Sequence, residues 1–248
     1  MEPINRYLDA AILKPELTRE EAIAAIKDCV KWKTKTVCVR PCDIALAKKM
    51  TKNTETGVSC VLAFPHGSTT TEVKAFEAKA YITLGVDEID MVANYGMIRS
   101  LDWNYVEADI RAVAKVCKAK KIPLKVIFET CQLSKEQIER TTEICISAGA
   151  DFVKTSTGFS TAGATPEAVK IMVETAKGRI KVKASGGIRD QKTAISYVEM
   201  GAARLGTNFT ANEALIAGDV GKAATGAAET DKVKPSKPKT SKAKKDEY

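Results

Sequence analysis

Short apolar runs rich in β-branched residues recur along the chain, separated by longer stretches in which apolar positions return every three or four residues. The short runs predict strands over 7–13, 36–39, 58–64, 88–92, 124–129, 152–155, 180–184 and 203–206. The longer stretches predict helices over 19–33, 71–84, 104–120, 135–148, 166–177 and 191–200. Start signals precede several helices: Thr18 ahead of Glu20 and Glu21, Ser134 ahead of Glu136, and Thr165-Pro166-Glu167 as cap, first-turn proline and first-turn acid. About eight βα units in succession predict an α/β protein built as a (β/α)8 TIM barrel. A doubly wound open sheet fits the same periodicity, because alternation alone does not prove closure. After Gly218 the pattern fades into Gly, Ala, Lys, Pro and Ser. The expected organisation is a barrel over 1–221 and a flexible lysine-rich tail over 222–248, whose apolar surface is too small to offset its ordering entropy.

Charged residues inside the predicted strands carry the candidate chemistry. The stretch Phe152-Val153-Lys154-Thr155-Ser156-Thr157-Gly158 places an ammonium in a buried strand, then ends in hydroxylated residues and a glycine. Val182-Lys183-Ala184-Ser185-Gly186-Gly187 repeats the arrangement. A buried lysine without a partner is costly, so it is either neutralised or used. Beside a second cation a desolvated lysine sheds its proton readily and becomes a nucleophilic amine, which points to imine chemistry on a carbonyl compound. Barrel chemistry gathers at the carboxyl ends of strands. Lys154, Lys183 and Asp90 stand near those ends, and Lys181 lies lower on the same face as Lys183. The alternative is a pair of lysines reaching solvent from strand ends and held there by carboxylates.

Composition narrows the choice. His66 is the only histidine, so a zinc site of several imidazoles is ruled out, with it metal-dependent aldolase chemistry and most hydrolase designs. Seven cysteines without a C-x-x-C pair read as reduced thiols, and no stretch approaches the length of a membrane span, so a soluble cytoplasmic protein is expected. The net charge is +8, but seven lysines from 232 onward against Asp246 and Glu247 give the tail +5 and leave +3 for the rest. The body therefore offers little to nucleic acid, and any such contact is expected of the tail alone.

Other residues carry two readings each. Gly158, Gly186, Gly187 and Gly206 either present backbone N–H groups to a substrate phosphate or form tight turns after strands. Cys38 is a small core residue or a reactive thiol. Lys125 and Glu129 extend a proton network or form a structural ion pair. His66 is read as a loop residue.

Seven blocks in order resemble the deoxyribose-phosphate aldolase family. They are Leu13-Lys14-Pro15, Val37-Cys38-Val39, Phe64-Pro65-His66-Gly67 with the run to Lys74, Asp87-Glu88-Ile89-Asp90-Met91-Val92, Leu124-Lys125-Val126-Ile127-Phe128-Glu129-Thr130, Asp151 to Gly158, and Lys183-Ala184-Ser185-Gly186-Gly187-Ile188-Arg189. The resemblance implies a barrel without cofactor or metal that reversibly cleaves 2-deoxy-D-ribose 5-phosphate into D-glyceraldehyde 3-phosphate and acetaldehyde. It implies Lys154 as the Schiff-base lysine and Asp90 with Lys183 as the proton-transfer pair. Asp9, Cys38, Lys125 and Thr155 are expected around the substrate, together with the phosphate-binding glycines and Asn208. Family members are commonly homodimers, and some carry a C-terminal tyrosine that assists proton transfer, a role that would fall to Tyr248. The chain departs from the family at Thr207-Asn208-Phe209, where serines are frequent, and at Ala10-Ala11 after Asp9. Asn208 keeps a hydrogen-bond donor there and Phe209 does not. Two other functions fit the residues: a Schiff-base aldolase for a different phosphorylated aldehyde, and a barrel without catalysis that binds partners through its lysine tail.

Overall fold

Strand pairing decides between the closed barrel and the open sheet. A computed structural model describes residues 2–218 of the chain. The expected boundary at 221, the tail and Tyr248 lie outside the described residues. The strands are β1 (Leu8–Ile12), β2 (Thr36–Val39), β3 (Gly57–Leu62), β4 (Glu88–Val92), β5 (Leu124–Ile127), β6 (Phe152–Lys154), β7 (Lys181–Ser185) and β8 (Arg204–Asn208). Each pairs in parallel with the next, and β1 also pairs with β8 through Asp9 opposite Gly206, so the sheet closes. The helices are α1 (Arg19–Lys31), α2 (Ile44–Met50), α3 (Thr71–Thr83), α4 (Tyr95–Arg99), α5 (Trp103–Ala119), α6 (Lys135–Ala148), α7 (Pro166–Ala176), α8 (Gln191–Glu199) and α9 (Asn212–Ala217). Among the described residues, no helix is long and apolar enough to cross a membrane.

The start signals act as the sequence suggests. Thr18 accepts from the Glu21 N–H and Glu21 returns the bond, a full capping box. Ser134 does the same with Gln137, so the reciprocal partner is that residue and not Glu136. Thr165 caps α7 ahead of Pro166. Three helices were not predicted: α2, α4 and α9 span seven, five and six residues, too few turns for a period to register. The fifth strand stops at Ile127 and not at 129, because Glu129 adopts a left-handed backbone with φ 59°.

Strand alternation divides the molecule into two environments. Outward residues such as Val37, Cys60, Met91, Val126 and Val153 pack under the helices in the main apolar core. Many inward positions are polar, with Asp9, Thr36, Ser59, Glu88, Asp90, Lys125, Lys154, Lys183 and Arg204 all buried. Barrel interiors are usually filled with branched apolar residues, so this one departs from the rule along most of its strands. A second buried ion pair lies in the helical layer. Lys74 of α3 donates to Asp109 of α5 at 2.6 Å and to the Val92 carbonyl at 3.2 Å, tying two helices to the end of β4.

Candidate active site

Seven charged side chains from six strands meet inside the barrel. Lys154 Nζ, from the last residue of β6, donates to Asp90 Oδ2 at 2.7 Å. Lys183 Nζ donates to the same oxygen at 2.8 Å and to Asp9 Oδ2 at 2.6 Å. Lys125 Nζ reaches Asp90 Oδ1 at 2.9 Å and Glu88 Oε2 at 2.5 Å. Below them, Arg204 donates to Asp9 Oδ1 at 2.6 Å and to Glu88 Oε1 at 2.7 Å. Every carboxylate oxygen of Asp9, Glu88 and Asp90 thus accepts from a cation. The Phe152 ring closes the floor, with Lys125, Lys181 and Arg204 within 5.4–5.7 Å of its centroid.

The same carboxylates treat the amines differently. Burial works against a charge on Lys183, but Asp9 and then Asp90 outweigh it and hold its pKa above the ordinary lysine value. Lys125 is also raised, since Asp90, Asp9 and Glu88 together overcome its burial. Lys154 goes the other way. Burial lowers it, the Lys183 ammonium adds to that, and Asp90, whose Oδ2 it shares with Lys183, does not compensate. Burial disfavours the Asp90 carboxylate too, but Lys125, Lys154 and Lys183 prevail and hold its pKa well below the usual range. Lys154 is therefore the amine in this cluster that reaches its neutral, nucleophilic form with least cost.

The predicted residues separate into four groups. Lys154, Lys183, Asp90, Asp9 and Lys125 come together as one network. Cys38 faces the interior above Thr36 and packs with Leu13 and Val61 at the barrel mouth, where burial and then Asp90 push its thiol pKa up, so it serves as wall and not as nucleophile. Gly158, Gly186 and Gly187 sit in the loops after β6 and β7, all with positive φ. Gly186 has no room for a side chain, because a Cβ would lie 2.9 Å from Gly163 Cα, whereas Gly158 and Gly187 face open space. Asn208 ends β8 at the exposed rim, its Oδ1 accepting from the Thr210 N–H at 3.2 Å.

Two expectations need correction. Thr155 does not face the interior: its hydroxyl donates to the Ser185 carbonyl at 3.1 Å and accepts from the Ser185 N–H at 3.0 Å, bolting β6 to β7. Gly206 is also a space requirement. A Cβ there would lie 2.5 Å from Ser185 Cβ and 3.2 Å from Lys183 Cε. Lys125 and Glu129 are not a pair. Glu129 turns instead to Thr157, accepting from its N–H at 3.3 Å and from its hydroxyl, and burial raises its pKa against those bonds. The N-terminus of α8 near Gly187 is capped by the Asp190 carboxylate, which accepts from the Thr193 N–H. The Gly206→Ala substitution should push Lys183 off Asp90 and lower kcat about 10²-fold, a cost typical of ångström-scale misplacement. Steady-state kinetics beside a thermal melt check this, and unchanged kcat would contradict the close contact.

Arg204 and Glu88 were missed as members of the site. The signal was present, because Arg204 alternates with Gly206 on β8 and Glu88 with Asp90 on β4, placing both inward.

A closed parallel barrel with amines and carboxylates gathered inside its carboxyl end defines a class, a (β/α)8 enzyme arranged for chemistry on a carbonyl group. A family model described as DeoC/LacD family aldolase matches residues 5–218. The chain belongs to that family, whose members are lyases. The deoxyribose-phosphate aldolase of Finegoldia magna is 45% identical over 205 residues, covering 83% of this chain and 95% of its own length. That of Thermococcus kodakarensis is 44% identical over 207 residues, covering 83% and 92%. The tetrameric deoxyribose phosphate aldolase structure from Aeropyrum pernix, 28% identical, superposes with a TM-score of 0.78 over 86% of this chain and 89% of its own.

Proposed function

We propose that this chain is a deoxyribose-phosphate aldolase that cleaves 2-deoxy-D-ribose 5-phosphate reversibly through an imine on Lys154. One observation carries the reading: Lys154, alone among the three lysines of the cluster, has a lowered pKa, and it shares its single carboxylate oxygen with the Lys183 ammonium. The neutral Nζ attacks the C1 aldehyde of the open-chain sugar, and loss of water leaves a protonated imine. That cation accepts the electron pair released when the C2–C3 bond breaks. A base takes the proton of the C3 hydroxyl, glyceraldehyde 3-phosphate departs, and protonation of the enamine at C2 precedes hydrolysis to acetaldehyde. Asp90 and Lys183, joined at 2.8 Å, are the groups placed to move these protons. Asp9 holds Lys183 from the opposite side.

The phosphate fits the loop end of the barrel. Backbone N–H groups around Gly158 and Gly187 and the side-chain amide of Asn208 are its donors in this reading. Edge-to-face Phe64 and Phe159, with centroids 5.1 Å apart, form an apolar lip beside them. All seven cysteines are unpaired, which supports a reducing, cytoplasmic setting.

The test compares 2-deoxy-D-ribose 5-phosphate with 2-deoxy-D-ribose while acetaldehyde release is followed. The phosphorylated sugar should have a kcat/KM higher by roughly 10²-fold, the worth of two hydrogen bonds to a charged group. Equal values would remove the phosphate site, and no acetaldehyde from either sugar would remove the proposed reaction.

A further inference from the structure

The ion cluster carries more positive than negative charge when every group is ionised. Four cations, Lys125, Lys154, Lys183 and Arg204, face three carboxylates, Asp9, Glu88 and Asp90. The remaining strands add no charge: β2 contributes Thr36 and Cys38, and β3 contributes Ser59, whose hydroxyl bonds to Thr36 at 3.0 Å. Glu129, above the cluster, lies close enough for the Lys154 charge to favour its carboxylate, but burial outweighs that attraction and its hydrogen bonds go to Thr157, so it holds no amine of the cluster. Lys181, below it on β7, is exposed and touches only the Phe152 ring among these residues.

A surplus of one charge in a buried site must be relieved by loss of a proton. Arg204 cannot supply that proton, because a guanidinium stays charged. Lys125 and Lys183 each contact two carboxylates, whereas Lys154 contacts one oxygen that Lys183 already occupies. The deficit therefore falls on Lys154. Replacing Arg204 by a neutral residue would leave three lysines facing three carboxylates, and all three amines could stay protonated.

We propose that Arg204 is a positioning residue for the Lys154 reaction: by clamping Asp9 and Glu88 beneath the lysines it supplies the surplus positive charge that keeps the Lys154 amine unprotonated. The inference rests on Lys154 being the reactive amine. It assigns Arg204 no contact with substrate. Its effect passes through Asp9 to Lys183 and through Glu88 to Lys125, both of which meet Lys154 at Asp90.

The experiment measures the pH midpoint of acetaldehyde trapping at Lys154 by cyanoborohydride, read by peptide mass mapping of the full-length protein. Removing a cation should make Lys154 easier to protonate, so Arg204→Gln should move the midpoint alkaline by about one unit or more. Arg204→Lys should restore it, because the charge is kept. Removing an anion should do the opposite, so Glu88→Gln should move the midpoint to more acid pH. A purely structural role for the clamp would shift all three variants in the same direction or not at all. Midpoints unchanged in Arg204→Gln, or shifted alike in Arg204→Gln and Glu88→Gln, overturn the proposal. If one variant fails to fold, the sign of the shift in the other still decides. Absence of any Lys154 adduct in the unaltered protein would instead overturn the reading on which the proposal rests.

Discussion

Lys154→Arg should abolish aldol cleavage while leaving the protein folded. The substitution replaces the neutral amine beside Asp90 and Lys183 with a guanidinium that does not deprotonate and forms no imine. The loss in kcat should be on the order of 10⁴-fold or more, as expected when a covalent nucleophile is removed. Because the guanidinium restores the surplus charge that the neutral amine relieves, the thermal transition should fall without being lost. Initial rates and a melting curve on the same preparation give both answers. Turnover within tenfold of the unaltered protein would mean that another group captures the aldehyde.

Asp90→Asn should damage stability and activity together. Asp90 accepts from Lys125, Lys154 and Lys183, so a neutral amide leaves these lysines to share Asp9 and Glu88 with Arg204. Breaking a buried ion pair from one side costs about 3–5 kcal/mol, which for a chain of this size lowers Tm by roughly 10 °C or more. The pH dependence has a defined sign. In the unaltered protein the folded-state pKa of Asp90 lies well below the ordinary aspartate value of 3.8, so its contribution is present above about pH 4 and is lost as pH falls through the folded value. The variant lacks that contribution. Its deficit should shrink at alkaline pH, where Lys125 or Lys183, each now short of a carboxylate, loses a proton and one uncompensated charge disappears. Activity should fall by roughly 10²–10⁴-fold, the range for loss of a general acid–base group. A variant as stable as the parent at about pH 6, judged by urea denaturation, would contradict the role given to this carboxylate.

The parts of this molecule readable from the amino-acid sequence are those governed by local periodicity. Lys154, Lys183 and Asp90 stand out because each places a charge at an inward position near the end of an apolar strand, and alternation alone fixes which way they face. Thr155 shows the cost of neglecting that rule: as the neighbour of Lys154 it must point to the opposite face, where Ser185 takes both its hydrogen-bonding functions. Closure of the sheet is a different kind of fact. The pairing of Asp9 with Gly206 joins residues far apart in the chain, and that same closure brings Arg204 to Asp9 and Glu88. An ion pair between Glu129 and Lys125 fails for a third reason. Its left-handed backbone turns the carboxylate toward Thr157, and nothing in a non-glycine residue announces that conformation. Short helices such as α4 escape because a single turn carries no measurable period.

Arg204 also gives the charge pattern a consistent explanation. Three carboxylates hold Lys125, Lys183 and the guanidinium, and the fourth cation is the one that must give way. Gly206 belongs to the same design, since it leaves space for the Lys183 side chain on its way to Asp90.

The central claim is that a neutral amine at position 154 captures the aldehyde. Its most direct test is to incubate the full-length protein with 2-deoxy-D-ribose 5-phosphate at neutral pH, reduce with borohydride and map the modified peptide by mass spectrometry. The account predicts a single adduct per chain, carried by Lys154. An adduct on Lys183 or Lys125 in place of Lys154, or full turnover with no trapped lysine, would contradict it.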